Sequence, residues 1–548
     1  MKTTFYFHFL LVLTFWSCQT TADVDSSLPI ERDVDFTWDN ATIYFLLTDR
    51  FNNGDQSNDY VHPDDTPPAP YRGFMGGDIK GITAKINDGY FTDLGVNALW
   101  MTPLVEQISG STDEGTGMSY PFHGYWARDW TAIDSRFGTE ADVKEMVDAA
   151  HEAGIRVIFD VVANHIGPET DMDDVWEDSW VKTIPKCDFQ TFKGTTDCTL
   201  VANLPDIRTE SNEEVELPTY LVEKWKAEGR YDQEVAELDE WFSTTGYPRT
   251  AVNYIIKWLV DFIKDYGVDG FRVDTVKHTE PYVWADLWEA AKKAYDDWKQ
   301  NHSKEKLDDE EFYMVGEVYN YFVSGGREFD FGDRKVDFFD HGFHALINFD
   351  FKTDAKQDYE AIFSKYDAVL RGSLQGKSVV NYISSHDDGG PYDLNRKDPI
   401  DAATKLLLCP GGVQIYYGDE TARSLTVDAQ GDATLRSFMN WGFRDDSRTA
   451  EILEHWQKLG TFRNNHPSIG AGAHRQIASS PYTFSRMKEG DKVVVALTSL
   501  KGKKTIDTGG VFADDTKVRD HYSGIESIVK DGVIEINTPS GVVLLEEI

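Results

Sequence analysis

Gly267-Val-Asp-Gly-Phe-Arg-Val-Asp-Thr-Val-Lys-His278 reads as a short apolar run that ends on a carboxylate, Asp274. Two more stretches share this grammar. Phe312-Tyr-Met-Val-Gly-Glu-Val-Tyr319 delivers Glu317, and Val379-Val-Asn-Tyr-Ile-Ser-Ser-His-Asp-Asp388 delivers Asp387. Short runs that are apolar without alternation read as parallel strands buried on both faces. Carboxylates at the ends of several such strands face one shared mouth, where barrel folds place their chemistry. Three acids in one cleft suit cleavage of a glycosidic bond.

Working outward, the chain alternates strand and helix, which predicts a parallel sheet with crossover helices. Strands are expected at 43–47, 98–101 and 156–162. A helix follows Asp78, with Ile82, Ile86 and Leu94 on one face. Thr139 caps another, with Val143, Met146, Val147 and Ala150 at helical spacing, ended by Gly154. A third spans 254–266 and stops at Gly267. A βα unit takes roughly 30 residues. Asp274 to Glu317 is 43 positions, one generous unit, and Glu317 to Asp387 is 70, or two units. Asp160 to Asp274 is 114 positions, too long by about 80 for one such unit. An insertion after the third strand is therefore expected at 166–247, a polar, acidic and irregular stretch. From 471 helical periodicity gives way to alternating or apolar runs at 492–497 and 533–536, which predicts an antiparallel β domain over 471–548. The expected organisation is a TIM (β/α)8 barrel, over 23–165 and 248–470, with a domain inserted after its third strand and a C-terminal β domain.

The 548 residues carry 94 acidic and 54 basic side chains, a formal charge of −40. That balance disfavours nucleic acid or an anionic membrane surface as a partner and suits a neutral substrate. Fifteen Trp and 13% aromatic content leave rings available to stack on sugars. The N-terminus, Lys2 followed by an apolar run from Phe5 to Trp16, is too short to span a bilayer and reads as a signal peptide, with residues 1–22 as signal and tether. Two processing routes stay open. Cys18 sits where a bacterial lipoprotein cysteine would be acylated, and Thr20-Thr21-Ala22 suits ordinary cleavage. The expected location is an outer-membrane or cell-surface lipoprotein held only by a lipid anchor at Cys18, otherwise periplasmic or secreted. Cys187 and Cys198 lie eleven apart in the insertion and are positioned to pair in an oxidising compartment. Cys409, after three leucines, reads as a buried thiol.

Taken in order, these motifs resemble the α-amylase family of glycoside hydrolases. The resemblance covers about 40–470, with a similarly placed β domain after it. It rests on Asp160-Val-Val-Ala-Asn164-His165, Gly270-Phe-Arg272-Val-Asp274-Thr-Val-Lys277-His278, Gly316-Glu317-Val and His386-Asp387. Supporting it are His123-Gly-Tyr125-Trp126, Leu204-Pro-Asp206 and the 412–420 segment Gly-Val-Gln-Ile-Tyr-Tyr-Gly-Asp-Glu. Ser385 departs from the family, which usually has Asn before His-Asp.

Residues two apart on a strand share a face, so Arg272 and Asp274 both point into the mouth, where a guanidinium favours an ionised carboxylate. The resemblance implies that Asp274 is the nucleophile, Glu317 the general acid/base and Asp387 the third acid. It implies sugar contacts from His123, Tyr125, His165, Arg272, His386, Lys277 and His278. It also implies calcium at two places. One uses Asn164, Asp206 and the His278 backbone carbonyl at the barrel–insert junction. The other uses Asn53, Asp55, Asn58, Asp59, Gly76 and Asp78. Both offer the hard oxygen donors calcium prefers.

The implied reaction is endo-acting hydrolysis of α-1,4 bonds in starch-like glucans with retention. Neopullulanase or cyclomaltodextrin hydrolase activity, glucan transfer, and a non-catalytic glycan-binding role are the alternatives.

Overall fold

Eight parallel strands close into a ring in chain order. They are β1 Thr42–Leu46, β2 Ala98–Met101, β3 Arg156–Val161, β4 Gly270–Val273, β5 Tyr313–Gly316, β6 Ala345–Asn348, β7 Ser378–Tyr382 and β8 Gly412–Tyr416. Every residue of every one of them is buried. Helices cover one face and the barrel interior the other, so both faces need apolar side chains; this is why the sequence shows no alternation. The computed structural model describes residues 35–548. The readings on the signal segment and Cys18 lie outside the described residues.

The crossover helices are α1 Ile79–Asn87, α2 Glu140–Glu152, α3 Ala251–Tyr266, α4 Pro281–Asn301, α5 Tyr359–Arg371, α6 Pro399–Leu407 and α7 Ser447–Asn465. Asp78 caps α1 by accepting from the Gly81 N–H at 2.6 Å. Thr139 and Asp142 form a reciprocal capping box on α2. At the end of α3, Gly267 has φ +74°, and a Cβ there would lie 2.2 Å from the Trp298 ring of α4. Both conformation and space require glycine, which lets α3 and α4 meet closely. Between β5 and β6 the described residues form two 3₁₀ turns, Val323–Gly325 and Phe338–His341, and a short ribbon of Phe329–Asp330 against Lys335–Val336, in place of a crossover α-helix.

The insertion between β3 and β4 begins as a loop region with a two-stranded ribbon, Val181–Lys182 against Asp206–Ile207, and a Cys187–Cys198 disulfide. Its second half is not irregular, contrary to the reading above. Thr219–Glu228 and Tyr231–Thr245 are helices. Their apolar face is sparse, with Leu221 and Trp225 in the first and Leu238, Trp241 and Phe242 in the second buried. Charged pairs one turn apart, Lys224–Glu228 and Arg230–Glu234, dominate the composition and mask the periodicity. Trp180 of the insertion stacks on Trp258 of α3 at 6.1 Å.

After α7, the strands from Ala473 to Glu547 build a six-stranded antiparallel sheet and a two-stranded one. Val494, Ile506, Phe512, Val518 and Leu545 belong to their own apolar cluster. The barrel meets this domain through buried His466, just after α7. Its Nδ1 is 2.7 Å from Asp491 and its Nε2 3.0 Å from Glu546. Among the described residues no helix is long and apolar enough to cross a membrane.

Candidate active site

Arg272 organises the C-terminal mouth of the barrel. On β4 it lies beside Asp160 of β3 in register. Its Nη1 donates to Asp160 Oδ1 at 2.8 Å and to Asp274 Oδ1 at 2.7 Å, while Nη2 is 3.1 Å from Glu317 Oε2. Asp274 and Glu317 are the first residues past β4 and β5, so strand ends deliver both to one guanidinium. Asp387 arrives differently. It lies five residues beyond the end of β7, on a loop, deep among the protein atoms but with about a third of its side chain (35%) open to the cleft. Ser385, whose hydroxyl donates at 3.2 Å, and His386, with Nε2 at 3.6 Å, lie against it. The Ser at the position where the resemblance leads one to expect Asn thus still touches the third acid.

Two of the three carboxylates on Arg272, Asp160 and Glu317, differ in what surrounds them. Burial pushes Asp160 well above the usual carboxylate range, but three donors converge on its two oxygens: Arg272, the Tyr125 hydroxyl at 2.7 Å and the Trp100 indole N–H at 3.0 Å. Arg272 and Trp100 can only donate, one to each oxygen, and both favour the ionised carboxylate, the counter-charge of Arg272. Glu317 is pushed up to about 8, by burial first and then by Asp274 and Asp387, against the pull of Arg272. Its donors, the Thr275 N–H at 2.9 Å and Arg272, both address Oε2. Oε1 has no protein partner among the described residues. Glu317 is therefore the group able to hold a proton at neutral pH, as a general acid must.

The imidazoles of His123, His165 and His386 are all held below their ordinary range, chiefly by burial; Arg436 adds to the effect on His123 and His386. They are neutral hydrogen-bonding groups. His123 Nδ1 accepts from the Tyr125 N–H at 3.0 Å and His165 Nε2 lies 3.1 Å from the Tyr125 carbonyl. Tyr125 stacks on His386 with ring centroids 5.4 Å apart. Across the cleft, Lys277 Nζ donates to the Tyr319 carbonyl at 3.1 Å. His278 Nδ1 lies 3.0 Å from the Thr195 carbonyl in the disulfide-closed loop, and burial lowers its pKa to about 4. The exposed rings of Phe189 and Tyr319 flank His278 and Lys277.

At the barrel–insert junction, Asn164 and Asp206 are both buried. The Asn164 carbonyl accepts from the Ile207 N–H at 2.8 Å, locking the insertion ribbon to the segment after β3. Asp206 accepts only a long 3.4 Å bond from the Leu200 N–H and the Asn164 amide. Burial pushes it to about 7. A buried carboxylate so poorly matched fits a cation, and nearby Asn164 Oδ1 accepts only a long 3.3 Å bond from the hydroxyl of Thr279, just after the His278 turn. In the second group the residues divide. Asp78 is committed to three backbone N–H groups, those of Gly54, Asp55 and Gly81, and Asp55 to Lys80 at 2.6 Å. Asn53 Oδ1 and Asn58 Oδ1, in contrast, are buried without a partner, and Asn53 Nδ2 holds Asp59 at 2.7 Å. Gly76 has φ +88°, and a Cβ on it would lie 2.5 Å from Asp59 Oδ1. The donor set that fits a hard cation is Asn53, Asn58 and Asp59. Among the described residues no cluster of three or more His, Cys, Asp or Glu side chains forms a metal site.

Four residues were not singled out by role in the sequence. Asp160 and Thr275 stand inside quoted motifs, and their functions emerge only once β3, β4 and β5 are side by side. Trp100 is next to last in β2, and its link to Asp160 crosses 60 positions. Arg436, whose Nε donates to the His386 carbonyl at 2.9 Å, lies beyond the motifs altogether.

A polar cleft at the strand C-termini, with a protonatable glutamate and an aspartate on one arginine, defines a barrel-type glycosidase. The family model for the alpha amylase catalytic domain matches residues 45–469, and the chain belongs to the α-amylase family of glycoside hydrolases. It is 36% identical over 536 residues to the periplasmic alpha-amylase of Escherichia coli K12, covering 86% of this chain and 73% of that one. It is 29% identical over 506 residues to a cyclomaltodextrin glucanotransferase of Geobacillus stearothermophilus, covering 88% of this chain and 63% of the relative. An alpha-amylase from Geobacillus thermoleovorans, solved with acarbose, shares the fold at a TM-score of 0.66 and 22% identity, over 94% of this chain and 100% of that one. The chain carries a catalytic domain of a family that acts on α-glucans with retention, and a non-catalytic glycan-binding role gives way.

Proposed function

We propose that this enzyme hydrolyses internal α-1,4 bonds of starch-like glucans through a covalent glycosyl-enzyme on Asp274. The observation that carries the reading is the single guanidinium of Arg272 shared by Asp160, Asp274 and Glu317. Glu317 protonates the leaving oxygen while Asp274 attacks the anomeric carbon. Glu317, now ionised, then takes a proton from the water that cleaves the ester. Net retention results, which requires carboxyls about 5–5.5 Å apart. Asp387, His123, His165 and His386 hold the sugar at the reacting centre with Tyr125, and Lys277 and His278 line the leaving-group side. Incubation with amylose, followed by sizing of early products, tests endo action: a broad range of oligosaccharides is expected, and release of a single short product from chain ends would contradict it.

Glucan transfer is the second reading, supported by the relatives named as cyclomaltodextrin glucanotransferases. Sugar and water compete for the same intermediate, so product analysis on amylose, pullulan and cyclodextrin separates transferase, neopullulanase and hydrolase.

Calcium is proposed at Asn164, Asp206 and the His278 carbonyl, and at Asn53, Asn58 and Asp59. The bound ion would supply charge neutralisation that pins the insertion and the 53–78 loop to the barrel. Export is proposed in line with the periplasmic relative. Acylation at Cys18 would add membrane association, and Cys18→Ser should then release the protein or block its maturation. Wild type found wholly soluble with Asp23 as its first residue would favour simple cleavage.

A further inference from the structure

Thr275 follows Asp274 directly and has φ +48°, a region that β-branched residues almost never occupy. It lies in neither helix nor strand; it is the cap before the 3₁₀ turn Val276–His278. Its hydroxyl does not account for the conformation, since Oγ1 is buried without a partner. The backbone does. In this conformation the Thr275 N–H points at Glu317 Oε2, 2.9 Å away, and the next N–H, of Val276, donates to the Glu317 carbonyl at 3.0 Å. Two consecutive amides past one reacting carboxylate thus grip the other, backbone and side chain together.

Arg272 Nη2 addresses the same Oε2 at 3.1 Å. Both donors are obligate, so Oε2 cannot itself carry a proton without opposing one of them. The other charged or titratable groups facing Glu317 are Asp274, Lys277 after the turn, Tyr319 on its own loop, and Tyr382 and Asp387 from β7 and the loop beyond it. No one of them donates to Oε1.

We propose that Thr275 is a positioning residue whose strained backbone N–H reserves Glu317 Oε2 as an acceptor and so places the catalytic proton on Oε1, toward the leaving oxygen. The inference rests on the reading of Glu317 as general acid. The proton donated in the first step leaves Oε1; the charge that develops on Glu317 is shared with Oε2, where two N–H donors already point, so no donor has to be recruited as the step proceeds.

The test replaces the 275 amide by an ester, using the α-hydroxy analogue of threonine, which deletes the N–H and keeps the side chain. Hydrogen bonds to a charged carboxylate favour its ionised form. Losing one should therefore move the alkaline limb of the kcat/KM profile up by about one pH unit and lower kcat by roughly tenfold, with little change in KM. Thr275→Gly retains the N–H and removes the strain, so its alkaline limb should stay at the wild-type pH while its melting temperature rises. An ester variant whose alkaline limb and kcat match wild type overturns the proposal, as does a Thr275→Gly variant that shifts the limb as the ester does. Glu317→Gln separates the two levels. If it cleaves starch like wild type, the general-acid reading itself fails. If it is inactive on starch but releases a first-turnover burst of fluoride from an activated maltosyl fluoride, while the ester variant matches wild type, only the role of Thr275 fails.

Discussion

Arg272 Nη1 donates to Asp274 Oδ1 at 2.7 Å across only two positions of sequence, so β4 carries both the proposed nucleophile and the cation that orients it. Asp274→Asn should cut turnover on starch on the order of 10⁴-fold, because an amide cannot form the ester intermediate. Circular dichroism and melting should stay close to wild type. A purified variant that kept a tenth of wild-type turnover would rule out the assignment.

Arg272 also neutralises Asp160, and Tyr125 and Trp100 complete that carboxylate's shell. Tyr125→Phe removes one donor from a buried ionised group, which costs about 1.5–3 kcal/mol. The cost should fall on kcat/KM, about tenfold or more, since the freed carboxylate pulls Arg272 away from Asp274 and Glu317. Steady-state kinetics on maltooligosaccharides would show it, and unchanged kcat/KM would assign Tyr125 to packing alone.

Calcium should raise stability by mass action, about 2.7 kcal/mol at a hundredfold excess over Kd. Chelation should lower the melting temperature and added calcium restore it. Asp206→Ala and Asn53→Ala should each remove part of the response, and together all of it. A melting curve indifferent to chelator, with no calcium by elemental analysis, would contradict both sites.

His466 sits fully buried between Asp491 and Glu546. Burial lowers its pKa, but bonds to Asp491 and Glu546 prevail and raise it above the ordinary value. A raised folded pKa means its contribution is complete below about pH 6.5, the unfolded value, and fades as pH rises through the folded value. Arg519, and His521 beyond it, face the same Glu546. His466→Ala should cost about 1.5–3 kcal/mol at pH 6, because it removes two charge-assisted hydrogen bonds, and less at pH 9. Denaturant melts at the two pH values would decide; an equal loss at both would mean His466 stabilises by packing only.

The barrel was legible because its strands are buried on both faces, and such strands advertise themselves as unbroken apolar runs. The two strand-end acids followed, since Asp274 and Glu317 are the first residues past β4 and β5. Asp387 was legible by motif but not by place: it lies on a loop, where no periodicity applies. The helices at 219–245 escaped notice because few of their residues face the core. Contacts such as Trp100 to Asp160, or Thr275 to Glu317, exist only through closure of the ring, which brings strand ends together regardless of their separation in sequence. Among the implied metal ligands, Asp55 and Asp78 shared composition with Asn53 and Asn58; only the structure distinguished carboxylates already hydrogen-bonded from amide oxygens left unpartnered.

The most direct test is to trap the intermediate. Glu317→Gln, incubated with a 5-fluoro α-maltosyl fluoride, loads without an acid but releases its sugar slowly for want of a base. Peptide mapping by mass spectrometry should place the added sugar mass on Asp274. Label on another carboxylate, or turnover with inversion and no label, would contradict a retaining enzyme built on Asp274.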